Sequence, residues 1–485
     1  MKNNLGKNAA VLTTSKIITT SISLVSVMLL SRFRTLGEYG TYSQILLVIN
    51  LATALFMLGL PNSTNYFLAL ANTHEERQRF LSVYFTLNTL LCFVMGGALA
   101  VSAPIVVAYF NNELIRDFTY ILVLLPWTKV IIGSISNILV VYGKTEKLTL
   151  FNVSNTLTAL LAILVTRLMN WSFREYILLY LLGEMCMMLW VYAMVWNLEK
   201  PLKISLDKQL IAKIFKYSIP IGLAGLVGTV TIEIDKLMIG RFFDTEQLAI
   251  YTNAAKELPL TIVASSLTAV LLPQMARMLK AKDTNRAVAL WGDVIRLSYI
   301  IICFCATALV VFAPQVMTIL YSAKYLPGVP IFRVYSLVLL LRCTYFGLVL
   351  NSIGKTKLIF YSSLASLALN AVLNYACYLV MGMVGPAVAT FLSITLVNFA
   401  QLFATSKALN VSFAKIFPWG KLLRITLINA LIGVCQFAIL SLMSVDTSIR
   451  GIAISIFLGA CGLGVYVLLM RKSVISLWRS LNHAE

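Results

Sequence analysis

Residues 31–42 read Ser31-Arg32-Phe33-Arg34-Thr35-Leu36-Gly37-Glu38-Tyr39-Gly40-Thr41-Tyr42, and residues 240–251 read Gly240-Arg241-Phe242-Phe243-Asp244-Thr245-Glu246-Gln247-Leu248-Ala249-Ile250-Tyr251. In each, an Arg-Phe pair is followed at the same distance by a tyrosine, Tyr42 or Tyr251. Further along, a loop reads Gly143-Lys144-Thr145 and another, again about 210 residues downstream, reads Gly354-Lys355-Thr356. Leu and Ile coincide readily by chance in an apolar chain, whereas a shared Gly-Lys-Thr does not. The two halves are therefore read as a parallel duplication, an arrangement used by carriers that rock two lobes around a central site.

Composition places the chain in a bilayer: 59% of residues are hydrophobic and 12% charged, against roughly 25% charged in a soluble domain. Apolar runs long enough for about 30 Å of hydrocarbon are counted as six, six and two. The expected fold is an all-α integral membrane protein of about fourteen transmembrane helices. Its parts are an N-terminal six-helix lobe (1–200), a C-terminal six-helix lobe (201–408) and two accessory helices with a tail (409–485).

Lys and Arg concentrate in alternate loops, among them Lys2, Lys7, Lys144, Lys147, Lys200, Lys203, Lys355 and Lys472. Basic short loops stay cytoplasmic, so both termini are expected in the cytoplasm. The net charge of +20 then follows from topology and attraction to anionic headgroups, and nucleic acid is not an expected partner. All eight cysteines fall inside apolar runs, and neither His74 nor His483 has the neighbours of a metal or catalytic site, so no cofactor, metal or disulfide framework is implied.

The chemistry must lie in the ionisable residues within the helices, each of which costs about 2.5–3.5 kcal/mol at the bilayer centre unless it faces protein or water. They are Lys16, Lys129, Glu184, Glu233, Asp235, Lys236, Lys256, Glu257, Asp293, Arg296 and Arg342. Thr13, Lys16, Thr20 and Ser23 form one polar stripe on the first helix. Lys129 precedes the first Gly-Lys-Thr loop and Arg342 the second, placing a cation near the middle of the fourth helix of each half. Two readings stay open: these cations receive an anionic ligand, or they pair with Glu184 and Glu257. Likewise Glu233 with Lys236, and Asp293 with Arg296, are either local i, i+3 pairs or cavity groups. Pro61, Pro126, Pro220, Pro259 and Pro273 are expected to bend or break their helices.

Asp235-Lys236-Leu237-Met238-Ile239-Gly240 with Ala249-Ile250-Tyr251-Thr252-Asn253-Ala254-Ala255, and Ser31-Arg32-Phe33 with Gly37 to Tyr42, resemble the corresponding helix pairs of bacterial polysaccharide (Wzx-type) flippases. These belong, with lipid II flippases and MATE exporters, to the multidrug, oligosaccharidyl-lipid and polysaccharide exporter superfamily. The resemblance implies an inner-membrane carrier that moves an undecaprenyl-pyrophosphate-linked oligosaccharide outward for O-antigen, capsule or teichoic-type assembly, alongside a polymerase and other assembly proteins. Under it, Lys16, Lys129, Arg296 and Arg342 would line a cavity for the pyrophosphate, and Glu233, Asp235 and Glu257 are candidates for ion coupling. A MATE-like antiporter for cationic drugs fits the buried cations poorly. A glycan polymerase or ligase would be expected to carry a large outer loop, which this chain does not have; no enzymatic role is expected.

Overall fold

The structure, a computed structural model, describes residues 5–482, with residues 5–10 and parts of the last turn described by backbone alone. Lys2 and His483 lie outside the described residues, as does the side chain of Lys7.

Among the described residues every regular element is a helix, and 13 stretches are long and apolar enough to cross a membrane. One of these, residues 356–409, is 54 residues long. As a single helix it would measure about 80 Å, more than twice the hydrocarbon thickness. It is instead a hairpin. The first helix stops at Gly382 (φ 58°), and Gly385 passes so close to the preceding helix that a Cβ would lie 2.3 Å from the Cys377 carbonyl oxygen. Fourteen membrane helices result.

In chain order they are α1 (Leu5–Phe33), α2 (Leu36–Met57), α3 (His74–Phe110), α4 (Thr119–Val141), α5 (Thr145–Leu168), α6 (Phe173–Leu198) and α7 (Lys208–Phe242). There follow α8, in two pieces (Thr245–Ala254 and Ile262–Lys280), α9 (Thr284–Val311), α10 (Val329–Val338, with a short continuation at Leu348–Ser352) and α11 (Thr356–Met381). The last are α12 (Gly385–Leu409), α13 (Trp419–Leu442) and α14 (Ile449–Asn482). Several begin on side chains that cap them: Thr35 with Glu38, Thr73 with Glu76 and Ser172 with Glu175 form capping boxes, and Asp207 caps α7. Such caps satisfy N–H groups that have no partner within the helix.

The chain forms two compact units, Met1–Ala249 and Ile250–Glu485. In the first, α4 is central, packed on α2, α3, α5 and α6, while α1 lies on α5 and α7 crosses α2 and α3. Helix α2 ends at Leu58 and Gly59, both with positive φ, and Pro61 starts a short turn beyond them. Asn137 donates to the Pro61 carbonyl at this break (2.8 Å), and Gly222 of α7 lets the chain pass: a Cβ there would sit 2.0 Å from the Leu58 carbonyl carbon. In the second unit α9 is central, packed on α8, α10, α13 and α14, with α10 also lying on α12.

Of the five singled-out prolines, Pro61 and Pro259 stand at breaks, and Pro126, Pro220 and Pro273 lie inside continuous helices. The landmarks shared by the two halves have the same local geometry. Helices end at Phe33 and Phe242, and the following turn is closed reciprocally by Thr35 with Glu38 and by Asp244 with Gln247. Gly143 (φ 67°) and Gly354 (φ 73°) each terminate a helix in the same way: Lys144 N–H bonds Leu139 O and Lys355 N–H bonds Leu350 O, both at 2.8 Å. This is a Schellman closure, which needs the left-handed conformation glycine adopts freely.

Candidate functional site

In the first unit Lys129 stands on the central helix α4, and its Nζ donates to Glu184 Oε1 of α6 at 2.7 Å. The Glu184 side chain is almost wholly buried, whereas Lys129 keeps 36% of its side-chain surface open. Around the pair lies a group of tyrosines. Lys129 Nζ is 5.3 Å from the Tyr180 ring centroid, Tyr42 meets Tyr176 and Tyr180 edge-on, and Arg34 lies 5.4 Å from Tyr176. The ring faces offer the two cations additional electrostatic attraction. Lys16, on α1, is exposed.

Glu233, also in this unit, accepts from Lys236 Nζ (2.7 Å) and from Asn50 Nδ2 of α2 (3.2 Å), so the pair is local but tied to a second helix. Asp235 is buried on the same helix.

In the second unit, the chain leaves helical geometry at Ala255–Leu258 in α8 and again after Leu339–Arg342 in α10. The two discontinuities are bridged by Arg342 Nη2 and Glu257 Oε1 at 3.0 Å, with 44% and 29% of the side chains open. Non-helical backbone at membrane depth persists only where it is buried in protein or lines a polar space, so this junction is a chemically distinct spot. Asp293 and Arg296 form a local pair on α9 (3.1 Å).

The pairing that the sequence left as an alternative is thus the observed one for both cations, but only Lys129 stands mid-helix; Arg342 ends the short turn Leu339–Arg342 at the break in α10, because the helix expected to run through it stops at Val338. Pairing does not exhaust the two cations. An ammonium has three donors and a guanidinium five; Lys129 makes one hydrogen bond to Glu184, and Arg342 one to Glu257. A carboxylate behind a half-open cation holds it in place and lowers the desolvation penalty of an isolated charge, leaving N–H groups to meet an anion.

Three features escaped the sequence reading. The tyrosine group around Lys129 is assembled from α2 and α6, far apart in the chain. A buried amide cluster joins α11 to α12: Asn374 Nδ2 donates to Asn370 Oδ1 (3.0 Å), and Asn370 Nδ2 to Thr390 (3.3 Å) and Ser393 (3.4 Å). Its signal was two asparagines four apart in an apolar helix. His74, for which the sequence named no partner beyond its own loop, contacts the buried Glu199, which also accepts from Tyr142 OH (2.5 Å). Next to it Arg79 pairs with Asp207 and holds that carboxyl below its ordinary range. Among the described residues no group of His, Cys, Asp and Glu could hold a metal ion.

Comparison with known proteins places this geometry. The structure is similar to the lipid II flippase MurJ in its inward closed conformation, with a TM-score of 0.77 at 16% identity over 95% of this chain and 99% of that one. It also resembles an inward-facing multidrug resistance MATE family transporter of the MOP superfamily (TM-score 0.65, 13% identity, 81% and 94% covered). A third similar structure is a point mutant of the Vibrio cholerae MATE transporter VcmN (TM-score 0.55, 12% identity, 84% and 98% covered). No curated protein matches the chain. The fold is that of MurJ and the MATE transporters. The family model described as "Polysaccharide biosynthesis protein" matches residues 29–330, more than half of the sequence, and the chain belongs to that family of multi-span membrane proteins.

Proposed function

We propose that this protein is a flippase for an undecaprenyl-pyrophosphate-linked oligosaccharide, carrying it from the cytoplasmic to the outer leaflet of a bacterial inner membrane by alternating access between lobes 1–200 and 201–408, with residues 409–485 accessory. The observation that carries this reading is a carboxylate-backed, half-open cation on an apolar span of each unit, Lys129–Glu184 and Arg342–Glu257, in a chain of a polysaccharide biosynthesis family.

A pyrophosphate cannot enter hydrocarbon without replacement of its water by donors. Lys129 and Arg342 supply them, Arg342 in the two-pronged geometry that suits phosphate oxygens, with Lys16 and Arg296 as further cations of the pathway. A phosphate competes with Glu184 and Glu257 for the same donors. When Arg342 turns to the phosphate, Glu257 is left to take up a proton or a metal cation, which links substrate binding to ion binding; Glu233 and Asp235 are the other coupling candidates.

The test is flipping of lipid-linked oligosaccharide in proteoliposomes. Lys129→Ala and Arg342→Ala at normal abundance should each reduce the rate at least tenfold, and the double variant should be inactive. Normal flipping by the double variant removes both residues from the pathway. Transport of cationic dyes, with no effect on the oligosaccharide, would point to a drug antiporter instead.

A further inference from the structure

The second unit contains a cavity of about 320 Å³ that the proposed pathway does not use. Its walls come from α10, α12 and α13 and include Leu341, Phe346, Phe391, Phe399, Leu402 and Trp419. Four polar side chains also reach it, and each is already committed to a protein partner. Tyr299 OH and Thr426 Oγ1 are 2.7 Å apart, and Thr426 donates to Leu422 O. Thr395 donates to Phe391 O, and Asn398 Nδ2 to Leu341 O at the break in α10. What remains for an occupant is almost wholly hydrocarbon. A sugar would find little to bond with; an alkyl chain needs nothing more.

Phe417 and Trp419 form a wall shared with a second, open groove of about 700 Å³ at the end of α13. That groove is edged by Lys415 and Lys421, both exposed cations, and by Asp293, whose charge is answered by Arg296. Trp419 is the first residue of the membrane-spanning helix α13, so the groove lies at the edge of the hydrocarbon. Apolar cavity and basic rim therefore meet at the level where a phospholipid changes from chain to phosphate.

We propose that this bipartite site binds one anionic phospholipid, an acyl chain in the cavity and its phosphate at Lys415 and Lys421, as a lipid ligand separate from the transported substrate. Charge complementarity at the rim favours this occupant, and the cavity, at the small end of ligand pockets, has room for part of one chain.

The experiment is native mass spectrometry of the full chain in detergent, titrated with phosphatidylglycerol or phosphatidylcholine. One phosphatidylglycerol should bind ahead of the rest, and Lys415→Gln with Lys421→Gln should weaken that first event about thirtyfold, as expected for two lysines at a lipid surface. Thr395→Trp, which fills the cavity, should lose the first lipid of either headgroup while the lysine variant still binds phosphatidylcholine. Both variants are surface or cavity changes whose folding is checked by thermal unfolding; if Thr395→Trp fails to fold, the lysine variant decides alone. Unchanged preference for phosphatidylglycerol in the lysine variant overturns the proposal. So does displacement of the bound lipid by equimolar undecaprenyl phosphate, which would assign the cavity to the tail of a transported lipid.

Discussion

At the scale of single residues, the question is whether Lys129 is there for the fold or for a ligand. Removing it leaves Glu184 buried beside Tyr180 without its 2.7 Å partner, and stranding one member of a buried pair costs about 3 kcal/mol. Lys129→Ala should therefore unfold at lower temperature, and the double variant Lys129→Ala/Glu184→Ala should recover most of that loss. Polysaccharide display should not recover with it. If display returns together with stability, the pair is structural and nothing more. At Arg342 the expectation concerns geometry: Arg342→Lys keeps the charge and the contact with Glu257 but offers no planar fork. Flipping should stay at least fivefold below wild type (about 1 kcal/mol), measured in proteoliposomes.

At the scale of elements, two glycines separate backbone strain from collision. Gly354 has φ 73°, and a methyl group placed on its Cα would meet nothing within 4 Å, so Gly354→Ala tests conformation alone and should lower stability by about 1 kcal/mol. Gly143→Ala in the equivalent loop should cost the same, because its backbone closes its helix with the same hydrogen bonds. Gly222 is different: its backbone is not at positive φ, yet a Cβ would meet Leu58 at 2.0 Å. Gly222→Ala should shift α7 off the break in α2 and destabilise by several times the Gly354 value, read from thermal unfolding of the two variants side by side.

At the scale of the whole molecule, the prediction is orientation. The loops rich in Lys and Arg should face the cytoplasm, so reporter fusions after Lys203 and after Asn482 should report that side and one after Asp244 the opposite side. A reversed pattern would put the basic loops outside and remove the basis for the direction of transport.

What the sequence alone determined is what depends on local order along the chain. Length and apolarity of each run set fourteen helices, and even the 54-residue stretch that could pass for one span is divided by Gly382. The Gly-Lys-Thr loops and the Arg-Phe pairs, read from the sequence as signs of duplication, stand at helix ends with matching closures and caps, because a helix end is decided by the few residues that must satisfy its free N–H and C=O groups. The ionisable residues were visible as exceptions in an apolar background. Their partners were not uniquely readable. Lys129 and Glu184 are 55 residues apart and Arg342 and Glu257 are 85 apart, and sequence spacing offers no rule for which carboxylate on which helix comes within hydrogen-bonding reach. Only packing decided that both cations are held from behind by an acid, that Tyr42 joins Tyr176 and Tyr180 beside Lys129, and that the breaks in α8 and α10 meet. Backbone capping is a short-range electrostatic problem solved within a turn, whereas side-chain pairing across helices is settled by which faces the interhelical contacts bring together.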